Sequence, residues 1–179
     1  AKKLWGDLNH RVIDSLEAQP KRKKGRLTGY DYSANGSYYI TVCTRDKQHI
    51  LGHSVGGGVL DAPYVRLSKC GAMVRDTLLE MDAFYDEITI DHYVIMPNHV
   101  HFILSFVGSA GRRGRRPYER AIAGVSLRME TAYNKKAGFP IWQRGYYDHV
   151  IRNESDYLRI WQYMDENPVR WTEDEYYFE

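Results

Sequence analysis

Long apolar runs are missing from this chain. No stretch approaches the roughly 18 consecutive apolar residues that span a bilayer, so the sequence predicts no membrane helix. The opening AKKLWGDLNHR carries no apolar segment behind its lysines, which reads against a secretory signal. Cysteine is scarce. Cys43 and Cys70 are the only two, and they match neither CxxC nor a zinc-binding spacing. They read as reduced thiols of a cytoplasmic protein. Net charge is also small, at +2. That tells against a uniformly basic nucleic-acid coat, and it moves attention to where the charge sits.

The positive charge is bunched. Lys21, Arg22, Lys23, Lys24 and Arg26 fall in KRKKGR, and Arg112, Arg113, Arg115 and Arg116 fall in RRGRR. Each run reads either as a solvated loop or as phosphate contacts of a nucleic-acid binder. Fifteen tyrosines and four tryptophans accompany them. Such rings stack on unpaired bases or pack inside the protein. With 179 residues, 43% of them hydrophobic, the chain suits one domain with a real core.

The organisation reads as a polar arm over 1–28, a domain over 29–171 and a tail over 172–179. A short helical piece is expected in the arm around 8–17. Asn35-Gly36 marks a turn, and the β-formers of 38–44 predict a strand. The glycines at 56–58 suit the tip of a small hairpin. Ser68 is a plausible N-cap for a helix to about Tyr85, with Cys70, Val74, Leu78 and Met81 as its stripe. Residues 88–95 alternate as a strand, with Ile88, Ile90, His92 and Val94 expected on one face. Pro97-Asn98 turns the chain into a returning strand over 99–107. A helix is expected over 118–137, with Ile122, Val125, Met129 and Ala132 as its stripe and Gly138 as its stop. A strand follows over 146–151, and then a last helix from Asn153 or Ser155. Pro168 ends that helix close to Asn167. The order β–α–β–β–α–β predicts an α+β fold. It is the ferredoxin-like split βαβ sandwich, an antiparallel sheet with helices on one face plus a C-terminal helix.

The segment HYVIMPNHVHFIL holds the chemistry. Strand alternation sends Val100, Phe102, Leu104 and Phe106 to one face and His99 and His101 to the other. Two imidazoles on one face can bind a divalent metal, but a site needs a further ligand. The last helix can bring one. Tyr157, Ile160, Trp161 and Met164 form its packing stripe. Tyr163 and Asn167, four residues apart, share the face beside that stripe, and Asp156 lies one heptad before Tyr163. Taken singly, Tyr163 also reads as a boundary aromatic and Asn167 as a C-terminal cap.

DHYVIMPNHVHFIL, IWQRGYYDHVIRNESDY and YMDENP, in that order, resemble the single-tyrosine HUH transposases, and most of all the bacterial REP-associated tyrosine transposases. The resemblance runs from about Gly29 to Trp171. It implies that His99, His101 and Asn167 hold Mg²⁺ or Mn²⁺, and that Tyr163 on the C-terminal helix is the nucleophile. Tyr157 is a rival phenol, but it sits in the packing stripe. The implied reaction is cutting and rejoining of single-stranded DNA near hairpin-forming repeats through a 5′-phosphotyrosine. The implied partner is that DNA, with monomers and homodimers both known among relatives. Arg152 is a candidate phosphate contact, and His149 serves strand packing or a phosphate. The alternative is a hairpin-binding protein of the same fold that does not cut. A metal hydrolase built on HxH is less well served, because HVH has no carboxylate beside it to activate water.

Overall fold

The computed structural model describes residues 35–56, 62–107 and 140–177. The helices expected over 8–17 and 118–137 and both basic runs lie outside the described residues.

Four strands form one antiparallel sheet: β1 (Gly36–Cys43), β4 (Ile88–Ile95), β5 (His99–Phe106) and β6 (Tyr147–Ile151), in the order β4-β5-β1-β6. β5 thus enters between β1 and β4, which is the split βαβ arrangement. Two shorter strands, β2 (Gly52–Val55) and β3 (Tyr64–Leu67), pair as a separate hairpin. Between β3 and β4 lie the helices α1 (Lys69–Leu79) and α2 (Met81–Phe84). The last helix, α3 (Glu154–Glu166), follows β6.

The alternation read from the sequence holds in β1 and β5. Tyr38, Ile40, Val42, Val100, Phe102, Leu104 and Phe106 face the main core together with Cys70, Val74, Leu78 and Met81 of α1 and α2. The opposite face carries Tyr39 and Ile103 against Ile160 and Met164 of α3, with Tyr157 and Trp161 beside them. The sheet is therefore covered on both faces, and burial of each large apolar side chain contributes roughly 1.5–3 kcal/mol. Both Cys43 and Cys70 are free thiols, and burial raises the pKa of each to about 11. No helix among the described residues is long and apolar enough to cross a membrane.

Two sequence expectations fail locally. β4 does not keep one alternation. A bulge at Asp91 shifts the register between Ile90 and His92. Ile88 and Ile90 join the main core with Tyr93 and Ile95, whereas Val94 packs toward α3. One extra residue reverses every side chain beyond it. The bulged carboxylate has its own partners: it accepts from Ser105 Oγ and from Tyr157 Oη, the latter at 3.2 Å. The helix begun at Ser68 also breaks, at Glu80, and the turn there delivers Met81 into the core with no exposed surface.

Helix starts follow the sequence closely. Ser68 Oγ accepts from Gly71 N at 3.1 Å and donates to Ile50 O at 2.6 Å. Asn153 Oδ1 caps α3 by accepting from Asp156 N at 2.9 Å. The α1 N-terminus thereby grips Leu51, whose N–H donates to Pro97 O at 3.0 Å. That contact holds the turn leading into His99. Gly71 permits it, since a Cβ there would lie 2.0 Å from Leu51 O. We expect Gly71→Ala to destabilise the fold by about 1–3 kcal/mol through overpacking, despite alanine's better helix propensity. Thermal unfolding of the two proteins side by side checks this, with a lower Tm expected for the variant.

Candidate active site

The site lies on the α3 face of the sheet. His99 and His101 stand two apart on β5, with ring centroids 4.4 Å apart, and neither is exposed to solvent. Each Nδ1 is engaged. His99 Nδ1 meets Asn98 Oδ1 at 2.9 Å. The Asn98 amide is itself oriented, because its Nδ2 donates to Tyr176 O at 2.8 Å and Lys47 O at 3.2 Å. Its oxygen can only accept, so Nδ1 of His99 carries the proton and Nε2 keeps a lone pair. His101 Nδ1 meets Tyr39 Oη at 2.7 Å and Thr41 Oγ1 at 2.8 Å. Both hydroxyls are able to accept from Nδ1–H, and in that tautomer Nε2 likewise keeps a lone pair.

Both Nε2 atoms are buried without a hydrogen-bond partner, and so is Asn167 Oδ1. Buried polar atoms are rarely left unpaired, because each costs about 1–3 kcal/mol. These three atoms belong to the three residues that the family resemblance implies as metal ligands. Desolvation lowers the His99 pKa to about 4 and that of His101 well below 6.5, so both rings are neutral at pH 7. Neutral imidazoles with free Nε2 lone pairs fit a divalent cation.

α3 supplies the phenol. Tyr163 lies edge-on to His101 at 5.7 Å between ring centroids and to Tyr39 at 6.4 Å, and is 41% exposed. Its hydroxyl donates to Asp174 Oδ2 at 3.4 Å. Asn167 caps the end of α3 and donates its Nδ2 to the same oxygen at 2.7 Å, which turns its Oδ1 the other way. Burial, then the charges of Asp174 and Glu175, raise the Tyr163 pKa to about 12, while a hydrogen bond from Tyr39 acts in the opposite sense. The rival Tyr157 spends its hydroxyl on Asp91, at the bulge.

Residues 171–177 complete the site. Asp174, His99 and His101 place candidate ligand atoms within 4.8 Å of one another, so the three can hold a metal ion. The Tyr176 ring lies 4.7 Å from that of His99. These residues fall largely in the stretch that reads as a tail, and nothing in its pattern marks Asp174. Sequence reasoning misses Tyr39 and Thr41 too, although alternation along β1 puts both on the face opposite Tyr38 and Ile40.

His149 and Arg152 are placed apart from the histidine pair. His149 Nε2 meets Asp156 Oδ2 at 2.9 Å, and Arg159 donates to the other carboxylate oxygen at 2.6 Å. Arg159 first and His149 second hold the Asp156 carboxyl at about 2. The pair ties β6 to the first turn of α3. Arg152 follows Ile151, which pairs with Ser37 at the far end of β1 from Cys43, the partner of His99.

No protein-family profile matches the chain. An uncharacterized protein of Haemophilus influenzae is 30% identical over 173 residues, covering 87% of this chain and 93% of that protein. The two belong to one family. A solved structure of a REP-associated tyrosine transposase bound to a REP hairpin aligns with 81% of this chain and 74% of its own, at a TM-score of 0.56 and 20% identity. The chain has the REP-associated tyrosine transposase fold. A Deinococcus radiodurans structure aligns more loosely, at a TM-score of 0.43 and 19% identity over 80% of this chain. The resemblance drawn from PNHVHFI and YMDENP thus agrees with the fold built from strand order and helix placement.

The buried imidazoles set a pH dependence. Unfolded, each takes a proton near 6.5; folded, His99 does so only at about 4. Between those values the unfolded chain binds more protons, so stability is full above about pH 6.5 and falls as pH drops. In chelator, we expect a loss on the order of 1 kcal/mol per pH unit per histidine below pH 6.5. Denaturant midpoints measured from pH 7 to pH 4.5 check it, and His99→Gln should flatten the slope.

Proposed function

We propose that this protein is a metal-dependent single-stranded DNA transesterase, transposase-like, that cuts and rejoins DNA near hairpin-forming repeats. The observation that carries the reading is the pair of buried, unpartnered imidazole nitrogens, His99 Nε2 and His101 Nε2, with the Asp174 carboxylate within reach and the half-exposed Tyr163 ring against His101.

In this reading His99, His101 and Asn167 hold Mg²⁺ or Mn²⁺, with the Asp174 carboxylate in reach as a further ligand. Such an ion, when bound, would withdraw charge from the phosphate and align it for attack. Mixed nitrogen and oxygen donors suit an open-shelled Mg²⁺ or Mn²⁺ better than a closed structural zinc. Asn98 Oδ1 holds His99 in the tautomer that leaves Nε2 able to bind an ion, and Tyr39 and Thr41 would accept from Nδ1 of His101 in the same tautomer.

Tyr163 is the nucleophile. A phenol held near pKa 12 is a weak one at neutral pH, so its proton must leave as attack proceeds. The proton already faces Asp174 Oδ2. Tyr163 Oη bonds to phosphorus, the bond from phosphorus to the 3′-oxygen breaks, and that oxygen takes up a proton. The products are a 5′-phosphotyrosine and a free 3′-OH. Because the ester is conserved, another 3′-OH reverses the step without a nucleotide cofactor. The basic runs 21–26 and 112–116 and Arg152 are proposed to grip the DNA backbone.

Tyr163→Phe removes one oxygen and keeps the ring. It is expected to bind single-stranded DNA as the wild type does and to lose cleavage entirely on a denaturing gel. Normal cleavage by this variant would move the role to Tyr157. His99→Ala with His101→Ala, or excess chelator on the wild type, should also abolish cleavage, and Asn167→Ala should do less because water can replace one amide ligand. Full activity in excess chelator contradicts the metal role.

Replacing Arg112, Arg113, Arg115 and Arg116 by Gln should weaken DNA binding at low salt. The log–log salt slope should fall by about 0.7 for each phosphate left without its arginine. A binding titration across salt concentrations decides it, and an unchanged slope means a solvated loop.

A further inference from the structure

Described residues wall the site on three sides. α3 is tied at its start to β6 by His149 and Asp156 and near its end to β4 by His92 and Asp165, at 2.9 Å in each case. Trp161 stacks flat on His92 at 4.1 Å between centroids, which closes the β4 side. Residues 171–177 close the end beyond Asn98: Tyr176 O accepts from Asn98 Nδ2, the Tyr176 ring leans on His99, and Lys47 Nζ donates to Glu175 O at 3.3 Å.

Among the described residues, the side left uncovered is the β6 edge. There the register lines up three residues across three strands: His101 opposite Thr41, and Thr41 opposite Tyr147. Facing residues of paired strands project to the same side, so Tyr147 stands on the histidine face, two strand spacings (about 10 Å) from His101. The inner members of this row are buried, while Tyr147 is 54% exposed. An exposed ring at the mouth of a phosphate-handling site has one obvious physical use, because every nucleobase offers a π-face for stacking.

Building on the transesterase reading, we propose that single-stranded DNA enters the site across the β6 edge and that Tyr147 is the stacking platform for a base beside the reacting phosphate. The ring positions the strand and takes no part in bond making. Its contribution is tolerant of base identity, since stacking reads no hydrogen-bond pattern.

The test uses the full chain carrying Tyr163→Phe, so that no strand is cut, and an oligothymidylate bearing one 5-iodouracil. Ultraviolet crosslinking followed by peptide mapping should place the crosslink at Tyr147. Tyr147→Ala and Tyr147→Leu should each weaken binding by roughly 5- to 150-fold, the Leu variant keeping strand-compatible bulk without a π-face. Tyr147→Phe should bind as its parent does. Unchanged affinity in both the Ala and Leu variants overturns the proposal, as does a crosslink that maps away from Tyr147. Wild-type cleavage is scored separately. A protein that binds through Tyr147 but never cuts refutes the transesterase reading and leaves the platform standing; one that cuts while Tyr147→Ala binds normally does the reverse.

Discussion

The amide of Asn98 is the contact on which the site depends. It is nearly fully buried, and both its oxygen and its nitrogen are hydrogen-bonded. Its oxygen takes the Nδ1 proton of His99, and its nitrogen spans Lys47 O and Tyr176 O. Its backbone carbonyl accepts from both the N–H and the hydroxyl of Thr44, at 2.8 and 2.9 Å. One residue thus joins the end of β1, the C-terminal turn and the tautomer of the first histidine. Each neutral hydrogen bond is worth about 1 kcal/mol net, but leaving its partner buried and unpaired costs about 1–3 kcal/mol. The pattern is hard to break one bond at a time.

Burial on both faces of β5 follows from the same arrangement. The main core takes Val100, Phe102, Leu104 and Phe106, while α3 and residues 171–177 cover the histidines. Desolvation keeps both rings neutral and leaves two nitrogen lone pairs and one amide oxygen without protein partners. Such a triplet is unfavourable for stability by itself. Sites that bind ions or reacting groups are where folds tolerate that cost. The Asp91 bulge places a carboxylate where it engages the Tyr157 hydroxyl, so that of the two phenols on this face of α3 it is Tyr163 whose ring lies against His101.

Much of this is legible in the sequence because it rests on periodicity. Strand alternation separates His99 and His101 from Phe102 and Leu104, and the helical stripe of Tyr157, Ile160, Trp161 and Met164 predicts which face of α3 packs. Ser68 and Asn153 announce their helices by side-chain chemistry that acts within three residues. What escapes is non-local or aperiodic. A bulge is one unpaired residue, and nothing in ITIDHYVI says that Asp91 is it. Pro97-Asn98 reads as a turn, which gives no hint that the Asn98 side chain reaches residues 47 and 176. Asp174 comes to the histidines only because the chain folds back after Pro168, and local pattern carries no record of such a return. The helix breaks at Glu80 because Met81 finds the core there, a tertiary gain that propensity does not register.

On the proposed reading, this cage of lone pairs serves one tyrosine, Tyr163. Tandem mass spectrometry of the denatured protein, after incubation with Mn²⁺ and a single-stranded hairpin oligonucleotide, puts that to the test. A nucleotide joined through a 5′-phosphate to Tyr163 is expected, and it should be absent when chelator replaces the metal. Cut DNA with no protein-bound nucleotide, or a nucleotide on Tyr157, would contradict it.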